Sequence, residues 1–346
     1  MPSQIVHSPS PSSRNYAERA RHEMLHGSLA IAKLFWRQAL RANPDLVFAD
    51  LGIAEAYRNR GLAFPNFESR VRGRFVDWYR NPERDKASGH WCYNKPTETS
   101  PDSDWMCCER WPRKLGSKMT MRAFATRFGL RVPRLIYSGT NLDDVDHWPE
   151  RYVCKVNNSG STFGVMVMRD GVNLLDGNSY SVSQMKARMI GSLERSRTSW
   201  HFIVEEYIRD SMGAKLPIDY KCHVFGGRVG LIQVIDRNGG AQGPRLHAFF
   251  SRNWTEAKHI INTHKPTMTG VGPPPPVLDE MIRWAELMGE LIGRYMRIDF
   301  YSTDNGLVFG EFTPNPDAGK GFTEYGDRIF CNLWEIYGEP VIGCEA

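Results

Sequence analysis

Near the C-terminus two apolar runs, Met296 to Tyr301 and Leu307 to Phe312, flank Thr303-Asp-Asn-Gly306, a sequence that closes a tight β-hairpin. Each run carries one carboxylate in its middle: Asp299 between Ile298 and Phe300, and Glu311 between Gly310 and Phe312. Closing the hairpin brings the two acids to roughly opposite positions. Facing carboxylates within a sheet repel and lose hydration unless a cation or a proton lies between them. A hard divalent ion such as Mg²⁺ meets that demand and commonly shares its shell with phosphates. Solvent-facing acids on an alternating strand are the other reading. Arg297 shares the face of Asp299, where a guanidinium can neutralise the pair or hold a transferring phosphoryl group.

Upstream, three further patterns stand out. Ser117 to Phe128 is predicted as a helix capped by Ser117 and stopped at Gly129, followed by a short strand, Val132 to Tyr137. The strand Arg151 to Val156 carries Lys155 into Asn157-Asn-Ser-Gly-Ser-Thr-Phe-Gly164, and Val165 to Met168 returns. A small polar loop of this kind can turn backbone N–H groups toward phosphate oxygens. It is neither a Walker A nor a GxGxxG motif, and a plain β-turn is the alternative. The run Phe202-Ile-Val-Glu-Glu-Tyr-Ile208 ends acidic. Asp219 and Lys221 share one face of the next strand, suited to a ribose and a phosphate or, more plainly, to a surface ion pair. Asp219 to Phe225 and Val229 to Ile235 form a hairpin about Gly226-Gly227, Ser183 to Ser196 is helical, and Val277 to about Arg294 has the clearest helical stripe.

Taken in order, these stretches resemble the TupA-like ATP-grasp family, named for teichuronopeptide biosynthesis, over about Lys114 to Phe322. The resemblance rests on Tyr-Val-Cys-Lys155-Val-Asn-Asn-Ser-Gly160, Ile-Val-Glu205-Glu206-Tyr-Ile, Asp219-Tyr-Lys221-Cys-His-Val-Phe-Gly-Gly, Ile-Gln-Val-Ile-Asp236-Arg237 and Arg297-Ile-Asp299-Phe-Tyr…Phe-Gly-Glu311-Phe-Thr313. It implies an α+β fold of the ATP-grasp type, two α+β lobes clamping a nucleotide, with a helical N-terminal extension. It further implies that Lys118 and Lys155 bind phosphate, that Ser159, Gly160 and Ser161 lie in a loop closing over the phosphates, and that Glu205, Glu206, Tyr207 and Ile208 form the adenine hinge. Asp219 would take the ribose, Lys221 a phosphate, and Asp299 and Glu311 the Mg²⁺ ion, with Arg297 steadying the transferred group. Many ATP-grasp ligases carry Asn where Thr313 stands here, so the third metal ligand falls to Thr313 or Asn315. Arg237 and His223 are candidates for substrate or phosphate contact, a hydrogen-bonded strand histidine being the plainer reading of the latter.

The implied chemistry is attack of a carboxylate on the γ-phosphoryl group of ATP, followed by displacement of phosphate by an amine. Positioning and charge neutralisation suffice for it. The absence of GxSxG and HExxH fits a site with no protein nucleophile. The product expected from the family link is a carboxylated cell-surface polymer or a specialised peptide. The alternatives are a phosphotransferase, whose acceptor keeps the phosphate, and a nucleotide-binding accessory protein without turnover. Replacing Asp299 by Asn or Glu311 by Gln is expected to abolish turnover with little loss of fold.

Composition sets the frame. With 346 residues, 41% hydrophobic and 24% charged, the chain can bury a sizeable core. A net charge of +5 permits acidic small-molecule partners without demanding a nucleic acid. No apolar run approaches a membrane span, and the Ser/Pro-rich start has no signal-peptide core, so a cytoplasmic protein is expected. Seven cysteines without a CxxC pair give no support for structural zinc and read as reduced thiols. The expected division is a disordered tail over 1–14, a helical and loop region over 15–110 (loop from Asn81 to Ser103), an N-lobe over 111–200 and a C-lobe over 201–346.

Overall fold

The computed structural model describes residues 11–72, 115, 117–157, 164–194, 201–239, 246–263 and 272–338. Ser159, Gly160 and Ser161 of the expected phosphate loop lie outside these, as does the segment Asn81 to Ser103. Ten strands form two antiparallel five-stranded sheets. The first has the order β1-β5-β2-β3-β4, with β1 Leu135–Gly139, β2 Arg151–Val156, β3 Val165–Arg169, β4 Val172–Asn173 and β5 Phe202–Glu206. The second has the order β10-β9-β6-β7-β8, with β6 Asp219–Phe225, β7 Arg228–Asp236, β8 Leu246–Phe250, β9 Met296–Thr303 and β10 Gly306–Thr313. This is the mixed α+β architecture expected, two lobes each built on its own sheet.

Each sheet has one face in a core. The other face of the first sheet looks into the space between the lobes; that of the second does so at Asp219, Lys221 and Asp299 but is covered at Phe225, Leu231 and Phe249 by the second core. In β2 the alternation places Tyr152, Cys154 and Val156 inside, against Met166, Met168, Phe202 and Val204. Met185 and Met189 of helix α5 (Val182–Glu194; helices are numbered in chain order) close that core. Val153 and Lys155 therefore face the other way. In the second sheet Tyr220, Cys222 and Val224 pack with Ile298 and Phe300 against α4 (Lys118–Arg127) and α6 (Leu278–Ile292), so Asp219, Lys221 and His223 share the opposite face. Helix α6 ends at Gly293 in the left-handed conformation, φ 67°.

The closing hairpin turns at Asp304-Asn305, with Thr303 paired to Gly306 at φ 95°, where a side chain would be strained. A bulge at Gly310 then shifts the register, so that Phe309 faces Phe300 while Glu311 faces Asp299. With regular pairing and no bulge, Gly310 would take the place opposite Asp299 and Glu311 would fall opposite Ile298, on the apolar face.

The N-terminal region expected to be helical carries α1 (Pro11–His26), α2 (Leu29–Ala42), a 3₁₀ turn at Pro44–Phe48 and α3 (Ile53–Asn59). Helix α1 begins inside the segment expected as a tail, with Ser13 and Ala17 buried. These helices do not stand apart. Trp36, Ala39 and Leu40 share one core with Phe225, Leu231, Tyr295 and with Ile329, Phe330 and Leu333 of α7 (Glu324–Tyr337). Glu335 of α7 ties them down, accepting from Lys33 Nζ at 2.5 Å and Tyr57 Oη at 2.5 Å and pairing with Arg70 at 2.8 Å.

Candidate functional site

The free face of the first sheet and the uncovered part of the second line one open cleft. Its apolar lining comes from Pro133, Val153, Val165, Val167, Leu216 and Phe309. Beside it run Glu206, Tyr207 and Ile208, the exit of β5. The chain leaves the strand at Glu206, whose carboxylate accepts from the Arg134 backbone N–H at 2.9 Å, while the Tyr207 hydroxyl donates to the Lys215 carbonyl. Its charged lining is Lys118, Lys155, Glu205, Asp219, Lys221, Arg237, Asp299 and Glu311. Eleven of the residues singled out in the sequence therefore converge here: these eight together with Glu206, Tyr207 and Ile208. Arg297, Thr313 and Asn315 do not line the cleft.

On the C-lobe side Asp299 is the hub. It is 1% exposed and pairs in register with Lys221 on one side and Glu311 on the other. Arg297 donates to it twice, from Nε at 2.8 Å and Nη2 at 2.9 Å, and Lys221 Nζ donates to its second oxygen. The same Arg297 Nη2 lies 3.2 Å from a Glu311 oxygen and donates to the Thr313 hydroxyl at 2.9 Å. The cation between the two acids is thus a guanidinium. Burial alone would raise the Asp299 pKa, but Arg297 and Lys221 outweigh it and hold the group far below the ordinary carboxylate range. Asp219, also buried, is held low in the same way by Lys221 and by Arg237, which donates directly to it. Its charge in turn pushes Tyr301, a cleft residue that the sequence patterns did not flag, well above the usual phenol range.

The expected Mg²⁺ donors are all oxygens, as a hard cation requires. Glu311 suits the role, with a side chain 36% exposed toward the cleft. Both Asp299 oxygens are already engaged by Arg297 and Lys221. Thr313 acts as a prop for Arg297, and Asn315 stands beyond the strand, just before the short turn Pro316–Gly319, with no side-chain capping bond. Among the described residues no group of three or more His, Cys, Asp or Glu side chains is arranged to hold an ion alone. Phosphate oxygens would have to complete the shell.

On the N-lobe side Ser117 caps α4 as expected, its hydroxyl accepting from the Thr120 N–H at 3.2 Å, which sets Lys118 at the head of the helix. Burial, reinforced by nearby Lys155, lowers the Lys118 pKa against the pull of Glu311. Lys155 Nζ lies 2.5 Å from Glu205 Oε2. Glu205 is 2% exposed, and its other oxygen accepts from Arg122 of α4. Burial beside Arg297 depresses His223 to about 3, so it is neutral, with Nδ1 2.9 Å from the Tyr295 hydroxyl. It serves as a hydrogen-bonded strand histidine and does not reach the cleft.

The sequence model of the TupA-like ATP-grasp family matches residues 117–333. Among solved structures, D-alanine–D-alanine ligase from Bacillus anthracis is similar at 15% identity and a TM-score of 0.39, over 64% of this chain and 65% of that one. VanG D-Ala:D-Ser ligase from Enterococcus faecalis is similar at 14% identity and 0.37, over 66% and 64%. The ATP-grasp ligase PsnB, complexed with a minimal precursor, is similar at 13% identity and 0.37, over 66% and 63%. The chain thus spans less than two thirds of the length of each. No curated protein sequence matches it.

Proposed function

The chain belongs to the TupA-like ATP-grasp family, and on that premise we propose that it is an ATP- and Mg²⁺-dependent ligase that joins a carboxylate to an amine. The observation that carries this reading is the lining of the cleft: apolar side chains beside the backbone at the exit of β5, together with lysines, carboxylates and an arginine drawn from both sheets and from the head of α4. Adenine fits the slot between Val153, Val165, Val167 and Leu216, with its polar edge on the backbone at Tyr207 and Ile208. The triphosphate then runs outward past Lys155 and Lys118 toward Lys221.

Glu311, with Asp299, would hold the Mg²⁺ ion, which when bound neutralises charge on the phosphate oxygens. Lys221 can exchange its bond to Asp299 for one to a phosphate oxygen, and Arg297 keeps Asp299 ionised while it does so. The substrate carboxylate oxygen attacks the γ-phosphorus, and the bond to the bridging oxygen breaks with its electron pair leaving on ADP. The amine then adds to the acyl carbon and inorganic phosphate departs, taking the electron pair of the acyl C–O bond. Lys118, whose depressed pKa follows from burial next to Lys155, supplies positive charge where negative charge is transferred. The donor is a small-molecule, peptide or saccharide carboxylate, the product a carboxylated cell-surface polymer or a specialised peptide, and the chain works in the cytoplasm, where ATP is supplied.

The test is incubation of the purified protein with ATP, Mg²⁺ and panels of carboxylates and amines. Phosphate release that requires both partners, with a condensed product by mass spectrometry, is the expected result. A phosphorylated acceptor would make it a phosphotransferase, and no ATP binding by calorimetry would refute the nucleotide site altogether.

A further inference from the structure

Arg122 has no part in the motifs that point to the site and does not line the cleft, yet it is built into the cleft wall. It sits one turn after Lys118 on α4 and is only 8% exposed. Its Nη2 donates to the Pro133 carbonyl at 2.7 Å, which fixes the guanidinium against the strand that follows the helix. Its Nη1 donates to Glu205 Oε1. The other oxygen of the same carboxylate, Oε2, lies 2.5 Å from Lys155 Nζ. One buried acid therefore stands between two cations, one facing the cleft and one behind it.

The arithmetic of this arrangement decides its use. A lone Glu205–Lys155 pair at this separation would be neutral, and Lys155 would present no net charge to an anion. Arg122 takes up half of the carboxylate, so the three groups together carry +1, and the exposed member of the three is Lys155 (17% against 10% for Arg122 and 3% for Glu205). Arg suits the hidden position, since its planar fork can bond a carboxylate and a carbonyl at once.

We infer that Arg122 is a positioning residue: by engaging one oxygen of Glu205 it frees the charge of Lys155 for a phosphate of the bound nucleotide. This rests on the nucleotide reading above. The effect is specific to phosphate. Removing Arg122 leaves Glu205 with a single partner, and Lys155 is drawn fully onto it.

The test combines two measurements on four proteins: wild type, Arg122→Met, Glu205→Gln and the double variant, with Arg122→Lys as a conservative control. Thermal unfolding without nucleotide reads the Arg122–Glu205 coupling; the double variant, which leaves no buried charge unpaired, is expected to be more stable than Arg122→Met. Calorimetry with ATP and with adenosine reads the consequence. Arg122→Met is expected to weaken ATP at least about tenfold and adenosine little, with ATP affinity recovered in the double variant and partly in Arg122→Lys. Equal losses for ATP and adenosine, or no recovery in the double variant, would reduce Arg122 to a packing role and overturn the inference, as would independent unfolding effects. Coupling in the unfolding data together with no ATP binding by wild type would instead overturn the nucleotide reading, and the inference with it.

Discussion

The two acids that look equivalent in the sequence are expected to respond very differently to neutralisation. Asp299→Asn keeps the shape of the side chain but removes the charge that Arg297 and Lys221 share, and it turns an amide NH₂ toward groups that only donate. Breaking a buried pair by removing one partner costs about 3–5 kcal/mol. At roughly 2–4 °C per kcal/mol, the midpoint of thermal unfolding should fall by about 6–20 °C. Glu311 is partly exposed and meets the edge of the same guanidinium and the Thr313 hydroxyl, so Glu311→Gln should cost about 0–1 kcal/mol and a few degrees at most. Little loss of fold is therefore expected for Glu311→Gln, and a marked loss of stability for Asp299→Asn. The pH dependence gives an internal check. The folded pKa of Asp299 is depressed, so its stabilisation is present above the unfolded pKa of about 4 and is lost as pH falls toward the folded value. The gap between wild type and Asp299→Asn should be full at pH 7 and should narrow below about pH 4. Differential scanning calorimetry from pH 3 to 8 measures both. A variant unfolding within about 2 °C of wild type at pH 7 would refute the assignment of Asp299 as the buried hub.

Lys155→Ala should raise the ATP dissociation constant by about tenfold or more, since a charge-assisted contact is lost; an unchanged constant by calorimetry removes Lys155 from the site. Thr313→Val deletes the hydroxyl that props Arg297 and should lower turnover more than it lowers ATP affinity, as steady-state kinetics beside calorimetry would reveal. Glu335→Gln weakens the hold of Lys33, Tyr57 and Arg70, at about 1–3 kcal/mol. Hydrogen exchange should then quicken in α1 to α3 while the two sheets keep their protection.

The strands that bear the site can be read from the sequence because each carries a polar residue where alternation demands contact with the cleft: Lys155 among Val153 and Val167, and Asp219 and Lys221 around buried Tyr220. The pairing of Asp299 with Glu311 is readable only approximately, because simple hairpin counting puts Gly310 opposite Asp299. The bulge that corrects it leaves no trace except the glycine, where a Cβ would lie 3.0 Å from the Asp299 carbonyl oxygen. Arg122 is not readable from its own helix, where an arginine passes for a solvated face. The signal lies in the partner: Glu205 is an acid at the end of the apolar run Phe202-Ile-Val, and a carboxylate buried there requires cations from elsewhere. The docking of α1 to α3 onto the C-lobe has no local signature either. It depends on Trp36 and Leu40 meeting residues almost three hundred positions later.

The charges in the cleft explain why one ligand can engage both lobes. On the C-lobe Asp219, Asp299 and Glu311 are matched one for one by Lys221, Arg237 and Arg297, through direct contacts. That wall is neutral as a unit and has no spare field to attract an anion. On the other side Lys155 of the first sheet and Arg122 and Lys118 of α4 surround Glu205, while Glu206 pairs with Arg134, so that wall is positive. On the proposed reading a triphosphate would be drawn first to Lys118 and Lys155. Only on reaching across would it compete for Lys221, and the carboxylate capacity then released on Asp299 would become available, beside Glu311, to a divalent ion. Nucleotide and ion would thus be coupled through Lys221, each making room for the other.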